Sequence, residues 1–150
     1  MSVQAQTPTQ THITDDGSQL IRAVLKANAA FSSISGLLFI FASGQVAGFL
    51  GIEDTSILGL FDGRKFILLL GFVILAFAGL VLFAAARRQI NRLWAIEVAV
   101  ADGLWVVISF VLVLTEALPF TAEGKWAVLI AADIVLAFAL LEYWGIRRMR

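Results

Sequence analysis

Phe66–Ala86 reads FILLLGFVILAFAGLVLFAAA, 21 residues without a single charge. As an α-helix rising 1.5 Å per residue it makes a rod of about 30 Å, which is the thickness of a bilayer's hydrocarbon core, also about 30 Å. Three further stretches have the same character, at about 23–41, 93–115 and 126–146. Apolar residues run on continuously in all four instead of alternating with polar ones, which argues against barrel strands. Composition agrees. The 150 residues are 60% hydrophobic and 15% charged, with a mean hydropathy of +0.91, whereas soluble domains have roughly 45–50% apolar and about 25% charged residues. The principal partner of this surface is therefore the lipid bilayer.

Lys and Arg set the expected orientation, because basic residues accumulate on the cytoplasmic side. Arg22, Lys26, Arg87, Arg88, Arg92, Arg147, Arg148 and Arg150 fall on one side, and Arg64, Lys65 and Lys125 on the other. Trp94, Tyr143 and Trp144 fit interfacial anchors on the first side, and Trp126 on the second. Short links favour antiparallel neighbours in sequence order. The expected fold is an all-α transmembrane four-helix up-down bundle with both termini cytoplasmic. Residues 1–19, rich in Gln, Thr, Ser and Asp, read as a disordered polar tail without the basic and apolar regions of a signal peptide. Residues 20–150 form the transmembrane domain. In the longest link, Gln45–Ile52 (QVAGFLGI) is apolar but too short to span, and fits a short interfacial helix.

Several chemistries are excluded by residue type. The chain has no Cys, so it lacks thiol redox chemistry and thiolate metal sites. Its one His, His12, is in the tail, so the spans can supply no imidazole to a haem or a zinc ion. No cofactor and no metal site is expected. Net charge is +0, which gives no basic field for nucleic acid. No nucleophile elbow, phosphate loop or metal motif occurs, and no catalytic residue is assigned.

Membrane helices associate by close packing of small residues and by polar contacts. Candidate stripes are Ala95, Ala99 and Gly103 in the third span, Asn28, Ser32 and Gly36 in the first, Ala127 and Ala131 in the fourth, and Gly71 and Gly79 in the second.

The chemistry inside the spans is acidic. An Asp at mid-bilayer costs at least about 2.5–3.5 kcal/mol on insertion scales, so it needs a reason to be there. Counted along antiparallel helices, Asp102 and Asp133 fall at similar depth, near the midplane. They are expected to face each other inside the bundle, and two carboxyls that meet there cannot both ionise cheaply. Trp105 and Ser109 share the side of Asp102. Glu97 and Glu142 lie about one turn inside the cytoplasmic ends of their helices and are expected to form interfacial ion pairs. A sharper alternative gathers Asn28, Glu97 and Glu142 in a cytoplasmic pocket. The ligand- or proton-binding candidates are thus Asp102, Asp133, Ser109, Trp105, Asn28, Glu97 and Glu142.

Ala27–Phe39 (ANAAFSSISGLLF), Asp102–Ser109 (DGLWVVIS), Phe138–Arg148 (FALLEYWGIRR) and the GFLGI of the first link together resemble a family of small bacterial four-helix integral membrane proteins without an assigned activity. A looser likeness to DoxX-like proteins rests on the number of spans. The resemblance implies a multi-pass protein of the bacterial inner membrane. The expected function is that of a non-enzymatic accessory or interaction protein, paired with another membrane protein or a second copy of itself. The alternative is a proton- or cation-linked transporter or binding protein built on Asp102 and Asp133.

Overall fold

The computed structural model describes residues 16–57, 59–87 and 90–149. They form five helices: α1 (Asp16–Phe41), α2 (Ser43–Leu50), α3 (Gly63–Ala86), α4 (Arg92–Leu114) and α5 (Ala122–Arg148). Four of them, α1, α3, α4 and α5, are long and apolar enough to cross a membrane. A helix is the form that satisfies every backbone N–H and C=O within one segment, which hydrocarbon demands. The protein is an all-α four-helix bundle of membrane-spanning length. Many large apolar side chains point outward: Phe72, Leu80, Val107, Ile130 and Leu140 are all more than half exposed.

Polar residues mark the helix starts. The Asp62 carboxylate accepts from the Lys65 amide at 2.8 Å at the head of α3. Asn91 accepts from Leu93 at the head of α4, and Thr121 from Gly124 at the head of α5. Each satisfies an amide left without an intrahelical partner. The short α2 follows α1 after one residue and ends at Gly51, whose φ of 80° is the left-handed conformation that glycine adopts without a Cβ penalty. This is the short helix expected over Gln45–Ile52, displaced by two residues.

The packing order departs from sequence order. α1 lies along α3 on one flank and α5 on the other, and α5 carries α4. α3 and α4, although joined by the link 87–91, have few close backbone approaches and meet through side chains at the linked end, where Phe83 packs against Trp94. Two features of α1 draw α3 to it. Gly36 and Gly71 face each other so closely that a Cβ on either would lie 3.0 Å from the other's carbonyl oxygen. At the far end of α3, the Arg22 guanidinium donates to the Arg87 carbonyl at 2.8 Å and to that of Ala85, satisfying carbonyls at the helix terminus. Of the expected stripes, Gly103 and Gly79 face open space, whereas Ala95 is fully buried.

Two apolar cores close the bundle at its ends. At the terminal end, Ile21, Leu25, Val81, Ala85, Ala95, Val98 and Ile146 pack together. Here the start of α1 meets the end of α5, with a Cβ on Gly17 falling 2.7 Å from the Arg148 carbonyl carbon. α1 therefore begins inside the stretch expected to be a tail: residues 16–19 are helical, and the remainder of that stretch lies outside the described residues. At the opposite, loop end, Ala47, Leu50, Ile52, Ile57 and Ile67 form the second core. The Thr121 amide and hydroxyl tie the start of α5 to the Leu50 and Phe49 carbonyls.

Candidate functional site: a buried amide between two carboxyls

Between the two cores the interior turns polar. Asn28 of α1, Asp102 of α4 and Glu142 of α5 are 1%, 4% and 0% exposed. The Asn28 side-chain amide nitrogen, Nδ2, has two hydrogens and donates to Asp102 Oδ2 at 2.6 Å and to Glu142 Oε1 at 3.0 Å. Its carbonyl oxygen accepts from the Ser32 hydroxyl at 3.1 Å, one turn further along α1. One amide therefore links three helices, with all its polar atoms in use. The two carboxyls thus lie side by side against the same nitrogen.

One atom of the cluster has no donor. Among the described residues, Glu142 Oε2 is fully buried and no N–H or hydroxyl reaches it. A carboxylate can only accept, so contact between two carboxyls needs a hydrogen on one of them. Among the described residues, no basic side chain forms an ion pair with either carboxyl. The ion pairs Lys65–Asp62 and Lys125–Glu116, each at 2.7 Å, lie at the loop end. Lys65 donates to Asp62 and holds its carboxyl below the ordinary 3.8. Lys125 does the same for Glu116, below 4.5.

Asp133 is not part of the cluster. It is exposed on the surface of α5 that faces away from α1 and α4, so the expected Asp102–Asp133 pair does not form. Depth along the helix was a sound argument, but azimuth decides. Ala132, Val135, Glu142 and Ile146 define the inward stripe of α5, and Asp133, one residue past Ala132, is rotated about 100° out of it. The same stripe makes Glu142 a core residue instead of an interfacial ion-pair partner. Glu97 is exposed and takes no part, so the alternative pocket keeps Asn28 and Glu142 but gains Asp102. Ser109 is buried, but its hydroxyl is used within α4, donating to the Trp105 carbonyl at 2.8 Å. The Glu142 stripe was readable in the sequence, since small and β-branched residues recur along it every three to four positions.

A cavity of about 230 Å³ adjoins the cluster. Asp102, Ser32 and Ser35 supply its polar wall, Trp105, Phe31, Phe39 and Phe77 its aromatic one, and Ala101, Ala131, Val135, Val73 and Ile74 the remainder. Val73 lines it and is itself 57% exposed, so the cavity reaches the surface beside α3, in the stretch where α3 and α4 stand furthest from close backbone contact.

Comparison with protein-family models, curated proteins and solved structures gave no match. The argument for function rests on this geometry. A hard divalent cation prefers about six to eight oxygen ligands, but Asn28 turns its N–H groups, and not its oxygen, toward both carboxyls. The arrangement suits a proton, or a ligand that itself donates hydrogen bonds.

Proposed function

We propose that this chain is a non-enzymatic multi-pass protein of the bacterial inner membrane that holds an exchangeable proton on the Asp102–Glu142 pair, as part of binding or moving a small ligand. The observation that carries the reading is the buried carboxyl pair, which shares one amide and, among the described residues, forms no ion pair. α1 presents Asn28 and Ser32 to it, and α4 and α5 present the acids. α3 has no ionisable residue between Phe66 and Ala86. Buried carboxyls inside a membrane bundle commonly mark proton or ion paths.

Infrared difference spectroscopy on the protein in lipid nanodiscs tests this. The expected result is a protonated-carboxyl C=O band that shifts on transfer to D₂O and disappears in both Asp102→Asn and Glu142→Gln. A spectrum without such a band, or a band unaffected by either change, refutes the proton site. The eight-to-three distribution of basic residues supports cytoplasmic termini. A C-terminal fluorescent-protein fusion should then fluoresce and a C-terminal alkaline-phosphatase fusion should be inactive; the reverse pattern overturns the orientation.

A further inference from the structure

The cavity beside the cluster has the features of a ligand site of definite chemistry. An apolar cavity of about 150 Å³ takes a benzene molecule. At about 230 Å³, this one takes an aromatic ring with a short chain attached. Four aromatic side chains, Phe31, Phe39, Phe77 and Trp105, form much of its wall. Aromatic faces attract cations, and more strongly where water is excluded. The ionisable group in that wall is Asp102, and the hydroxyls of Ser32 and Ser35 lie with it. Among the described residues no basic side chain lines the cavity, so an anion would meet a carboxyl without compensation.

Charge counting points the same way. Two carboxyls sharing one proton carry one net negative charge, and a ligand with one positive charge neutralises them. Such a ligand also brings N–H donors, which the Asp102 carboxylate and the Ser32 and Ser35 hydroxyls in the cavity wall can accept. The route is set by packing. The apolar cores seal the two ends, while the cavity opens beside Val73 in the seam between α3 and α4, toward the hydrocarbon.

We infer that the cavity binds a compact organic ammonium ion, an aromatic or aliphatic body bearing a single amine, which enters sideways from the bilayer through the α3–α4 seam and sets its ammonium on Asp102. This deepens the proton-site reading and rests on it, because proton and ammonium then share one carboxyl pair.

The test uses the full chain in nanodiscs of uncharged phosphatidylcholine, with empty discs to subtract partitioning into lipid. Tritiated 2-phenylethylamine is the probe. Unlabelled 3-phenylpropan-1-ol and 3-phenylpropionate serve as neutral and anionic competitors of similar size. The expected result is saturable binding of one amine per chain, with both competitors at least tenfold weaker than unlabelled amine. Asp102→Asn should weaken amine binding at least tenfold. Ala101→Phe fills the cavity while leaving both acids in the chain and should abolish it. Competition among the three ligands needs no variant, so a misfolded mutant leaves the proposal exposed to refutation. An alcohol that competes as well as the amine makes this a neutral-lipid pocket and overturns the inference, as does the absence of saturable binding. If the exchangeable carboxyl band is present in the same discs while amine binding fails, only the ligand assignment falls. If the band is missing as well, the proton site falls with it.

Discussion

Replacing Asn28 with Ala should be among the most damaging single changes in the membrane interior. The substitution removes both donors to Asp102 and Glu142 and the acceptor of Ser32. It removes no charge, so both carboxyls stay buried with less to satisfy them. Interhelical hydrogen bonds in a bilayer average about 0.6 kcal/mol in double-mutant cycles, which for two bonds sets a floor near 1 kcal/mol. Bonds to charged groups are worth about 1.5–3 kcal/mol, and stranding such a group costs that or more, which sets a ceiling near 6 kcal/mol. Glu142 is 0% exposed and lies outside the cavity wall, so water does not readily stand in for the lost amide there, and the expected cost lies in the upper half of that range, about 3–6 kcal/mol. Reversible unfolding in bicelles, followed by steric trapping, measures it. Much of the cost comes from the stranded acids, so Glu142→Gln should be less harmful in the Asn28→Ala background than alone, with a coupling of at least about 1 kcal/mol. A loss below about 0.5 kcal/mol for Asn28→Ala, or strictly additive energies, would refute the shared-amide arrangement.

Asp133→Leu should have the opposite sign. The residue is exposed on a membrane-spanning helix, and on insertion scales exchanging a mid-helix Asp for Leu favours insertion by about 3 kcal/mol; a glycosylation-mapped insertion assay of α5 reads this, and reduced insertion would contradict it. Gly36→Leu should push α1 from α3, because a Cβ there already lies 3.0 Å from the Gly71 carbonyl oxygen and the Leu75 amide nitrogen; a loss of about 1–3 kcal/mol is expected in the same unfolding assay. Gly103→Ala, where the new methyl meets open space, should be neutral or stabilising by up to about 1 kcal/mol. The loop-end carboxyls Asp62 and Glu116 are held below their ordinary 3.8 and 4.5, in each case chiefly by a lysine hydrogen bond. Depressed carboxylates contribute stability above the unfolded value and lose it as pH falls through the folded one. NMR should therefore show both lysine–carboxylate pairs intact from neutral pH down to the ordinary carboxylate range and released only below it. Lys65→Met and Lys125→Met should each move that release upward, and unchanged midpoints would count against the pairing.

The four spans were legible because each is decided by a summed property of some twenty residues. Expected limits of 66–86 and 93–115 compare with Gly63–Ala86 and Arg92–Leu114. α1 exceeded its expected range because Asp16–Arg22 is too polar for hydropathy to register. Ile21 is nonetheless fully buried, and Gly17 lies against the end of α5, so tertiary packing extends the helix. The neighbour order was less legible. A short link brings two helix ends together but does not make their lengths pack, and the Gly36–Gly71 approach commits α3 to α1 instead. For the acids, depth alone could not separate Asp102 from Asp133. Reading α5 by its stripe of small residues would have placed Glu142 inside and Asp133 outside.

A polar cluster between two apolar cores can serve as glue or as a site, and physical chemistry distinguishes them. Buried charged groups rarely improve stability over well-packed apolar residues of similar volume. A network kept only to fix helix register therefore gains most when every member is satisfied. Asn28 meets that standard, with both donors and its oxygen engaged. Glu142 does not, since Oε2 is buried without a donor. Native proteins leave few such atoms, and each calls for a physical reason. Apolar packing of α1, α4 and α5 would hold the same helices without a second acid, and the cavity would remain without a carboxyl in its wall. A buried carboxyl oxygen left unsatisfied, in a cluster whose Asp102 also lines a ligand-sized cavity, favours a group that comes and goes over one that merely holds the bundle together.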